Sequence, residues 1–381
     1  KERDVLNFSD VWAGFIDNMF NLAARYDSSM ILNGKIRDDE KNISEWQFYS
    51  DKSVIDFIAT PEEAINNLAD MLAKRYMYSG KVPPKEVDMF FLTVLAVALA
   101  DDFRFVVVGD TQTDGNHESI NWDVVPVLIE DMNAHDPVLG LFVGDLVGGA
   151  GTVEGTVLQW ADFKSVSADF IGDVLPILGN HDVYGGAGTF DAFSDEFDWL
   201  PTDDSPAGEE GVSYYFDYDN TRFIGITSDQ EVGTSKKISD AGLVWLEQVL
   251  QDSTGFEHVF VFTHHPVSFS TENNLGGTSG DFWQLAVNYG VTAVFSGHWH
   301  RYQPSQLGAG GETWENIIGT GGGWTGFEPI REYQQRHGYL VVDVSDTEAI
   351  AQFYGDADGD GYYDDLLDEY QMASATPPSP G

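Results

Sequence analysis

Acidic, amide and imidazole side chains cluster in five short segments that are separated by long stretches of other sequence. In chain order the segments are Gly109-Asp110-Thr111-Gln112, Gly144-Asp145, Gly179-Asn180-His181-Asp182, His264-His265-Pro266 and Gly297-His298-Trp299-His300. Carboxylate, amide and imidazole groups are the usual protein ligands of divalent cations. We therefore expect a metal site wherever the fold brings these segments together.

Each of the five segments follows one of six predicted buried strands. Apolar runs typical of such strands lie at Phe103–Val108, Gly140–Val143, Val174–Leu178, Arg222–Thr227, His258–Thr263 and Val291–Ser296. Helical patterns cover Asn121–Asn133, Gly155–Asp169, Ser239–Gln251 and Gly280–Tyr289, and antiparallel strands are predicted near Gly338–Val344 and Ala349–Tyr354. This alternation predicts an α/β fold with helices covering the sheets. Because sites in α/β sheets form at the carboxyl ends of strands, the five segments should converge.

In this order, the segments resemble the motifs of the calcineurin-like metallophosphoesterase family, which run D-x-H, G-D-x-x, G-N-H-D/E, H-x-P and G-H-x-H. The resemblance extends over roughly residues 103–354. It implies a layered β-sandwich flanked by helices, in which two divalent metal ions activate water to hydrolyse a phosphate monoester or diester. Mn, Fe, Mg and Zn are all compatible metals, with Mn, Mg and Fe favoured over a tight zinc pair.

The resemblance also implies a role for each matched residue. It assigns Asp110 and His300 to the first metal, Asp145 to a bridge between the metals, and Asn180, His264 and His298 to the second metal. His181 would lie beside the metals and assist the leaving oxygen, a role that suits an imidazole near neutral pH. Asp182 would orient the His181 ring.

Two positions depart from the patterns of related enzymes. Gln112 stands where the first motif usually has histidine, and an amide oxygen is a weaker donor than imidazole. We therefore predict that Gln112 ligates a more labile first metal. Gly148 stands three residues after Asp145, where purple acid phosphatases have a metal-binding tyrosine, so membership of that branch is not expected.

Residues around the five segments are candidates for contact with a phosphorylated substrate. They are His265, Trp299 and Arg301, and the glycine-rich run Gly319–Trp324 could form a lid or a wall of the site. Ordinary packing is the alternative for each of them. The sequence leaves the rest of the substrate open, from nucleotides and phospholipid headgroups to phosphoproteins.

An acidic segment late in the chain, within residues 355–370, resembles an EF-hand or thrombospondin-type calcium loop. Its oxygen ligands would come from loop positions 1, 3, 5, 7 and 9, occupied by Asp356, Asp358, Asp360, Tyr362 and Asp364, with Gly361 at the turn. Leu367 occupies position 12, where such loops usually have glutamate, so binding of Ca²⁺ should be weak. The alternative is a flexible acidic tail. Residues 371–381 have the composition of a linker.

The chain is strongly acidic, with 63 Asp and Glu against 19 Lys and Arg and a formal charge of −44 over 381 residues. Such a surface excludes nucleic-acid binding through a basic patch and repels phosphorylated substrates at long range. A metal centre would supply the local positive charge that such a substrate needs. The acidity suits a saline environment, and the weak calcium loop suits an exported protein, extracellular or periplasmic. With no cysteine, disulfides and thiolate zinc sites are excluded.

Residues 1–88 contain no catalytic motif. Helical patterns at Val11–Arg25 and Pro61–Tyr78 predict a mostly helical segment that ends near Pro83-Pro84. A helical cap, an oligomerisation element and a segment foreign to the enzyme are all open. The apolar run within residues 89–102 is too short to span a membrane and is either a buried helix or similar to a signal peptide.

Two functions of different classes are compatible with these features. The first is a metal-dependent phosphoesterase. The second is a catalytically weak relative whose metal and calcium sites serve binding or scaffolding. The presence of His181 favours the first, because a scaffold has no need of a proton donor beside its metals. The oligomeric state is left open by the sequence.

Overall fold

A computed structural model describes residues 45–50, 53–58, 102–113, 119–230, 238–268, 275–307, 313–325, 332–345 and 348–372. The chain divides into two compact units, residues 1–100 and 101–381. In the first unit, the described residues form an antiparallel hairpin of β1 (Glu45–Ser50) and β2 (Ser53–Ile58). The sequence patterns did not predict this hairpin. The helices predicted at Val11–Arg25 and Pro61–Tyr78, and the apolar run 89–101, lie outside the described residues.

The described part of the second unit contains twelve strands and five α-helices. The strands are β3 (Phe103–Val108), β4 (Leu139–Val143), β5 (Asp173–Ile177), β6 (Tyr214–Tyr218), β7 (Thr221–Gly225), β8 (His258–Phe262), β9 (Ala293–Ser296), β10 (Tyr302–Gln306), β11 (Trp314–Ile318), β12 (Gly338–Val344), β13 (Ala349–Gly355) and β14 (Asp365–Met372). The helices are α1 (Val125–Asn133), α2 (Val153–Ser167), α3 (Thr189–Glu196), α4 (Asp240–Gln251) and α5 (Asp281–Asn288). Short 3₁₀ turns lie at Asp182–Gly185, Gly277–Ser279 and Glu332–Gln335.

The strands form two mixed six-stranded sheets. The first sheet has the order β14-β13-β12-β3-β4-β5, and its strands β3, β4 and β5 are parallel. The second has the order β10-β11-β9-β8-β7-β6, and its strands β7, β8, β9 and β11 are parallel. The parallel strands are central in the second sheet, whereas in the first sheet they extend to the edge strand β5. In both sheets the loops that carry the candidate ligands follow the carboxyl ends of parallel strands. The predicted layered α/β class is confirmed.

Aromatic side chains join the two sheets into a sandwich. Phe105 on β3 lies with its ring centroid 5.1 Å from Phe223 on β7, 5.1 Å from Phe260 on β8 and 5.9 Å from Phe295 on β9. All four rings are fully buried. Burial of each such side chain is worth roughly 1.5–3 kcal/mol, so this cluster fixes the distance between the sheets. It thereby brings loops from different sheets to one place.

Helices cover the outer faces of the sandwich. The Thr152 side chain accepts from the Gly155 N–H at the start of α2, and the Ser239 side chain accepts from Gly242 N–H at the start of α4. These caps satisfy amides that the first turn leaves unpaired. Within the described residues, no helix combines the length and apolar content that a membrane crossing requires.

The main differences from the predicted elements lie in short or polar strands. Eight strands and four helices appear within a few residues of their predicted positions, whereas α3, β6, β10, β11 and β14 were not predicted. Strand β14 occupies the second half of the predicted acidic loop and pairs antiparallel with β13. The loop between strands is therefore shorter than residues 355–370. Alternating burial along β14 was hidden from the pattern by its many acidic residues.

Candidate metal centre

Five loops at the carboxyl ends of parallel strands converge at one edge of the sandwich. Asp110 and Asp145 follow β3 and β4 of the first sheet, and the loop that begins at Gly179 follows β5. His264 follows β8 of the second sheet, and His298 follows β9. The five segments therefore converge, as expected from the sequence. The loops that form the site come from both sheets.

The converging side chains form two groups that could each hold a metal ion. Asp145, His264 and His298 form one, which we call the inner group; Asp110, Asp145 and His300 form the other, which we call the outer group. In each group the ligand atoms lie within 4.8 Å of one another. Asp145 belongs to both groups, as a bridging carboxylate must. These Asp and His donors suit divalent metals.

Backbone contacts fix the orientation of the inner-group histidine His264. Its Nδ1 donates to the Val143 carbonyl oxygen at 2.9 Å, so Nε2 is left to face the site. This Nε2 lies 3.3 Å from Asp145 Oδ2 and 3.3 Å from Asn180 Oδ1. Asn180, a predicted ligand of the second metal, therefore lies beside the inner group. A histidine whose second nitrogen is held by a carbonyl is oriented for metal binding.

The outer-group histidine His300 is held in the same way. Its Nδ1 donates to the Trp324 carbonyl oxygen at 3.0 Å, and its Nε2 lies 3.3 Å from Asp110 Oδ1. Burial opposes protonation of His300, but its hydrogen bond to Asp110 raises its pKa above the ordinary value. The glycine-rich run supplies the Trp324 carbonyl, and the Gly323 N–H donates to the Asp110 carbonyl oxygen at 2.9 Å. This run therefore forms a wall behind the outer group.

Three of the converging residues have backbone conformations that side chains rarely adopt. Asp110, Asp145 and His298 have φ values of 60°, 49° and 65°. The left-handed region costs a non-glycine residue of order 1–3 kcal/mol unless the surrounding structure enforces it. Such strain is concentrated at functional sites, and here it turns each side chain from the end of its strand into the shared space.

The charges of the buried Asp145 and His264 depend on each other. Burial would raise the pKa of Asp145, but the His264 and His181 rings hold this pKa well below its ordinary value. Burial would lower the pKa of His264, but the Asp145 carboxylate outweighs it and raises the pKa to about 10. Without a metal, the carboxylate is thus compensated by a protonated imidazole. A cation bound to Asp145 would replace that proton.

The side chain of Gln112 reaches the outer group. Its Nε2 lies 3.3 Å from Asp145 Oδ2 and 3.3 Å from His300 Nε2, and it is almost completely buried. Its Oε1 has no hydrogen-bond partner among the described residues. A buried amide oxygen without a partner costs stability, and a metal ion would satisfy it after rotation of the amide. The residues present therefore fit a divalent ion at this position.

His181 lies at the margin of the centre with its side chain 31% exposed. Its backbone N–H donates to Asp145 Oδ1 at 2.7 Å, and its Nδ1 donates to the Gly148 carbonyl oxygen at 3.0 Å. Nε2, which lies 3.9 Å from Asp145 Oδ2, remains directed at the centre. Sequence reasoning missed Tyr184, whose ring centroid lies 4.9 Å from that of His181 and whose hydroxyl contacts Asn180. The 3₁₀ turn that follows His181 places Tyr184 above it, and the i, i+3 spacing was the available signal.

Asp182 has a different role from the one predicted. Its carboxylate accepts hydrogen bonds from the Gly179 N–H at 2.8 Å, the Leu146 N–H at 3.1 Å and Trp160 Nε1 at 2.9 Å. The His181 ring is instead held by the Gly148 carbonyl. Burial and the nearby Asp145 charge raise the pKa of Asp182 to about 7. Asp182 therefore joins two ligand-bearing loops and does not orient His181 directly.

Two of the predicted substrate contacts are almost completely buried. His265 is fully buried; its Nδ1 lies 3.0 Å from Ser228 Oγ and 3.2 Å from Asp229 Oδ2. Its ring packs 4.2 Å from that of His298, so it supports a ligand and does not face solvent. Arg301 is 3% exposed and donates to Gln303, and burial lowers its pKa. Trp299 is partly buried and stays a candidate.

Glycines allow the loops to pack closely around the ligands. Gly144 has a φ of 84°, and a Cβ atom there would lie 2.5 Å from His264 Nδ1. A Cβ atom on Gly297 would overlap the Asp110 carboxylate. Only glycine fits both constraints at Gly144, a positive φ and a histidine in contact. The glycines that precede the ligands in the sequence therefore have a steric explanation.

Comparison with known proteins agrees with this geometry. The sequence profile of the family described as calcineurin-like phosphoesterase matches residues 103–302, which include all the residues of the two groups. No curated protein matches the sequence.

Several solved structures share the fold. Purple acid phosphatase PPD1 from yellow lupin (Lupinus luteus) seeds has a TM-score of 0.55 at 17% identity, over 72% of this chain and 54% of that one. A dimetal phosphatase from Danio rerio has a TM-score of 0.53 at 13% identity, over 72% of this chain and 100% of that one. PhoD has a TM-score of 0.51 at 13% identity, over 71% of this chain and 68% of that one. At these identities the likeness concerns the fold. This chain spans about half the length of the lupin enzyme.

Proposed function

Since the chain belongs to the calcineurin-like phosphoesterase family, we propose that it hydrolyses a phosphate monoester or diester at a two-metal centre. The observation that carries the proposal is the position of Asp145, which is shared by two groups of potential ligands. A carboxylate has two oxygens and can bridge two hard cations, which an imidazole cannot do. A pair of divalent ions, when bound, supplies positive charge for the phosphoryl group and an activated water.

The candidate ligands would be shared between two metal ions. Asp145, Asn180, His264 and His298 would hold one ion, and Asp110, Asp145, Gln112 and His300 the other. Two carboxylates and two dications together would give the centre a net charge near +2. This charge is enough to attract a phosphate at contact distance despite the acidic surface. Mn, Mg or Fe suits this set of oxygen and nitrogen donors better than a tight zinc pair does.

His181 would assist departure of the leaving group. Its Nδ1 is engaged by the Gly148 carbonyl, which leaves Nε2 as the nitrogen that can donate a proton toward the centre. Its partial exposure lets it reach a substrate oxygen at the mouth of the site. General acid catalysis of this kind contributes about 10²–10⁴-fold in rate.

The test is hydrolysis of p-nitrophenyl phosphate and bis(p-nitrophenyl) phosphate by the full chain, after chelation and after readdition of Mn²⁺. We expect turnover that depends on the metal. Replacement His181→Ala should slow an alkyl phosphate far more than p-nitrophenyl phosphate, because p-nitrophenolate leaves without protonation. Absence of metal-dependent turnover of either ester would reject the phosphoesterase and favour a binding or scaffolding role. Equal loss with both leaving groups would reject His181 as the acid.

We also propose that the loop between β13 and β14 binds Ca²⁺. Asp356, Asp358 and Asp360 present oxygens within 4.8 Å of one another. The Gly359 N–H donates to Asp356 Oδ1 at 2.6 Å, and the Ala357 N–H donates to Asp365 Oδ2 at 2.9 Å, so the loop is closed on itself. Its exposure and the missing glutamate support weak binding, with a dissociation constant on the order of 10⁻⁴–10⁻³ M. That range would suit an exported protein.

Calorimetric titration of the full chain with Ca²⁺, after loading with Mn²⁺, tests this second site. The double replacement Asp358→Asn and Asp360→Asn should abolish the heat, whereas His300→Ala should leave it unchanged. Retention of the heat in the double variant would reject the loop as the calcium site.

A further inference from the structure

A cavity of about 530 Å³ lies beside Thr113, the residue that follows Gln112. Its lining includes Thr113, Ser119, Trp122, Asp123, Gln159 and Asp162. These residues come from the segments after β3 and from α2. None of them belongs to the two ligand groups, so the cavity is a separate feature of the surface.

Hydrogen bonds connect the wall of the cavity to the metal centre. Thr113 directly follows Gln112, and Gln112 forms an antiparallel bridge with Ile120, which also lines the cavity. On the other side, the Ser119 carbonyl oxygen accepts from the Gly148 N–H at 3.1 Å. Gly148 in turn accepts the hydrogen bond of His181 Nδ1 at 3.0 Å. The cavity therefore adjoins the edge of the centre where His181 would meet a leaving group.

The chemistry of the lining favours a positive charge. Trp122 is 52% exposed, and indole is the side chain that attracts cations most strongly through its ring face. Asp123 and Asp162 add two carboxylates, and the described side chains around the cavity include no lysine or arginine. The formal charge of the chain, −44, repels anionic leaving groups and therefore also favours a cationic one. A zwitterionic substrate, anionic at its phosphate and cationic at its other end, matches both sites.

We propose that this cavity binds the leaving group of the substrate and that the substrate is a phosphate ester of an amino alcohol with an ammonium group. The proposal rests on the phosphoesterase function proposed above. In the reaction, an oxygen from water bonds to phosphorus as the P–O bond to the alcohol breaks. A proton passes to the departing oxygen, giving the free amino alcohol and phosphate, or a phosphate monoester from a diester.

The test compares phosphocholine with 3,3-dimethylbutyl phosphate, a neutral-tailed ester of the same shape, on the full chain loaded with Mn²⁺. If the p-nitrophenyl panel identifies a diesterase, the methyl diesters of the same two alcohols replace them. We expect kcat/KM to be about tenfold higher for the cationic ester, which corresponds to about 1.4 kcal/mol of cation recognition. The preference should shrink as ionic strength rises.

Matched replacements separate recognition from folding. Asp162→Asn keeps the shape and removes the charge, so it should lower the ratio of kcat/KM for phosphocholine to kcat/KM for 3,3-dimethylbutyl phosphate. Trp122→Phe should retain part of the preference, and Trp122→Leu should lose it. Equal kcat/KM for the two esters in the parent, or a preference that survives Asp162→Asn and Trp122→Leu, would overturn the proposal. Failure to hydrolyse any ester would instead reject the phosphoesterase function itself.

Discussion

The backbone N–H of His298 donates to both carboxylate oxygens of Asp110, at 3.0 and 2.9 Å. These residues lie 188 positions apart and follow strands of different sheets. Both have positive φ values. The contact therefore ties the outer group, which contains Asp110, to the inner group, which contains His298. A substitution that disturbs one group should consequently also affect metal binding at the other group.

Asp145 should be required for both metal ions. Replacement Asp145→Asn removes the bridging charge, so we expect both equivalents of bound metal to be lost and activity to fall by at least about a hundredfold. His264→Ala should chiefly weaken the inner ion and His300→Ala the outer one. Metal content per chain, measured by elemental analysis, decides this. Loss of a single equivalent from Asp145→Asn would contradict a bridging role.

Gly144 should tolerate no side chain. Gly144→Ala combines a φ of 84° with a contact of 2.5 Å to His264, so we expect the histidine to shift and metal affinity to fall. Gly151 is the matched control, because it has a φ of 74° but nothing within 4 Å of an added Cβ atom. Gly151→Ala should cost about 1–2 kcal/mol of stability and leave metal binding intact. Equal metal affinities in the two variants would contradict the steric explanation.

Gln112 should limit affinity at the outer group. An imidazole is a stronger donor than an amide oxygen, so Gln112→His should tighten binding of the more labile ion by roughly tenfold. Gln112→Ala, which provides no donor, should weaken that ion further. Competition with a coloured chelator would measure both. Unchanged affinity in Gln112→His would show that position 112 does not ligate.

Metal binding should compete with a proton on His264. Because the pKa of this ring is raised to about 10 in the metal-free protein, apparent affinity at the inner group should increase as pH rises toward that value. The increase is up to about tenfold per pH unit for each displaced proton. His264→Gln should lower this slope by one proton. An identical slope in parent and variant would mean that the displaced proton is not held by His264.

The same raised pKa has a consequence for stability without metal. A group whose folded pKa exceeds its unfolded value stabilises the folded state fully below the unfolded value, here 6.5. That contribution is lost as pH rises through about 10. Denaturant unfolding of the metal-free chain between pH 6 and about 10 should show this decline, and His264→Gln should remove part of it.

Local patterns were sufficient for the central strands and for the ligand types. Strand β4 is a continuous apolar run, and β3 and β8 are apolar except for Arg104 and His258, because both faces of these strands are largely buried. Each of the three strands is followed by its candidate ligand. Strand β14 was missed because its half-buried faces carry acidic residues that resemble a loop. The residues of such a segment do not show which neighbouring strand will pair with its backbone N–H and C=O groups.

The partners of buried polar groups were also beyond the sequence. Asp182 adjoins His181 in the chain, yet its carboxylate accepts from Leu146 and Trp160. His265 adjoins His264 in the chain, yet its ring contacts Ser228. These contacts join residues 22 to 37 positions apart. Neighbouring residues share a motif without sharing an environment.

By itself, the sequence determined which donors are available and that each would stand at the end of a buried strand, because strand burial and glycine turns are properties of neighbouring residues. Only the tertiary structure decided that Asp145 lies between two groups of ligands, and that Trp122 and Asp162 line a cavity beside them. The reason is that these positions depend on how two sheets pack around Phe105, Phe223, Phe260 and Phe295. The distance between sheets results from the summed packing of side chains distant in the chain, which no local pattern encodes.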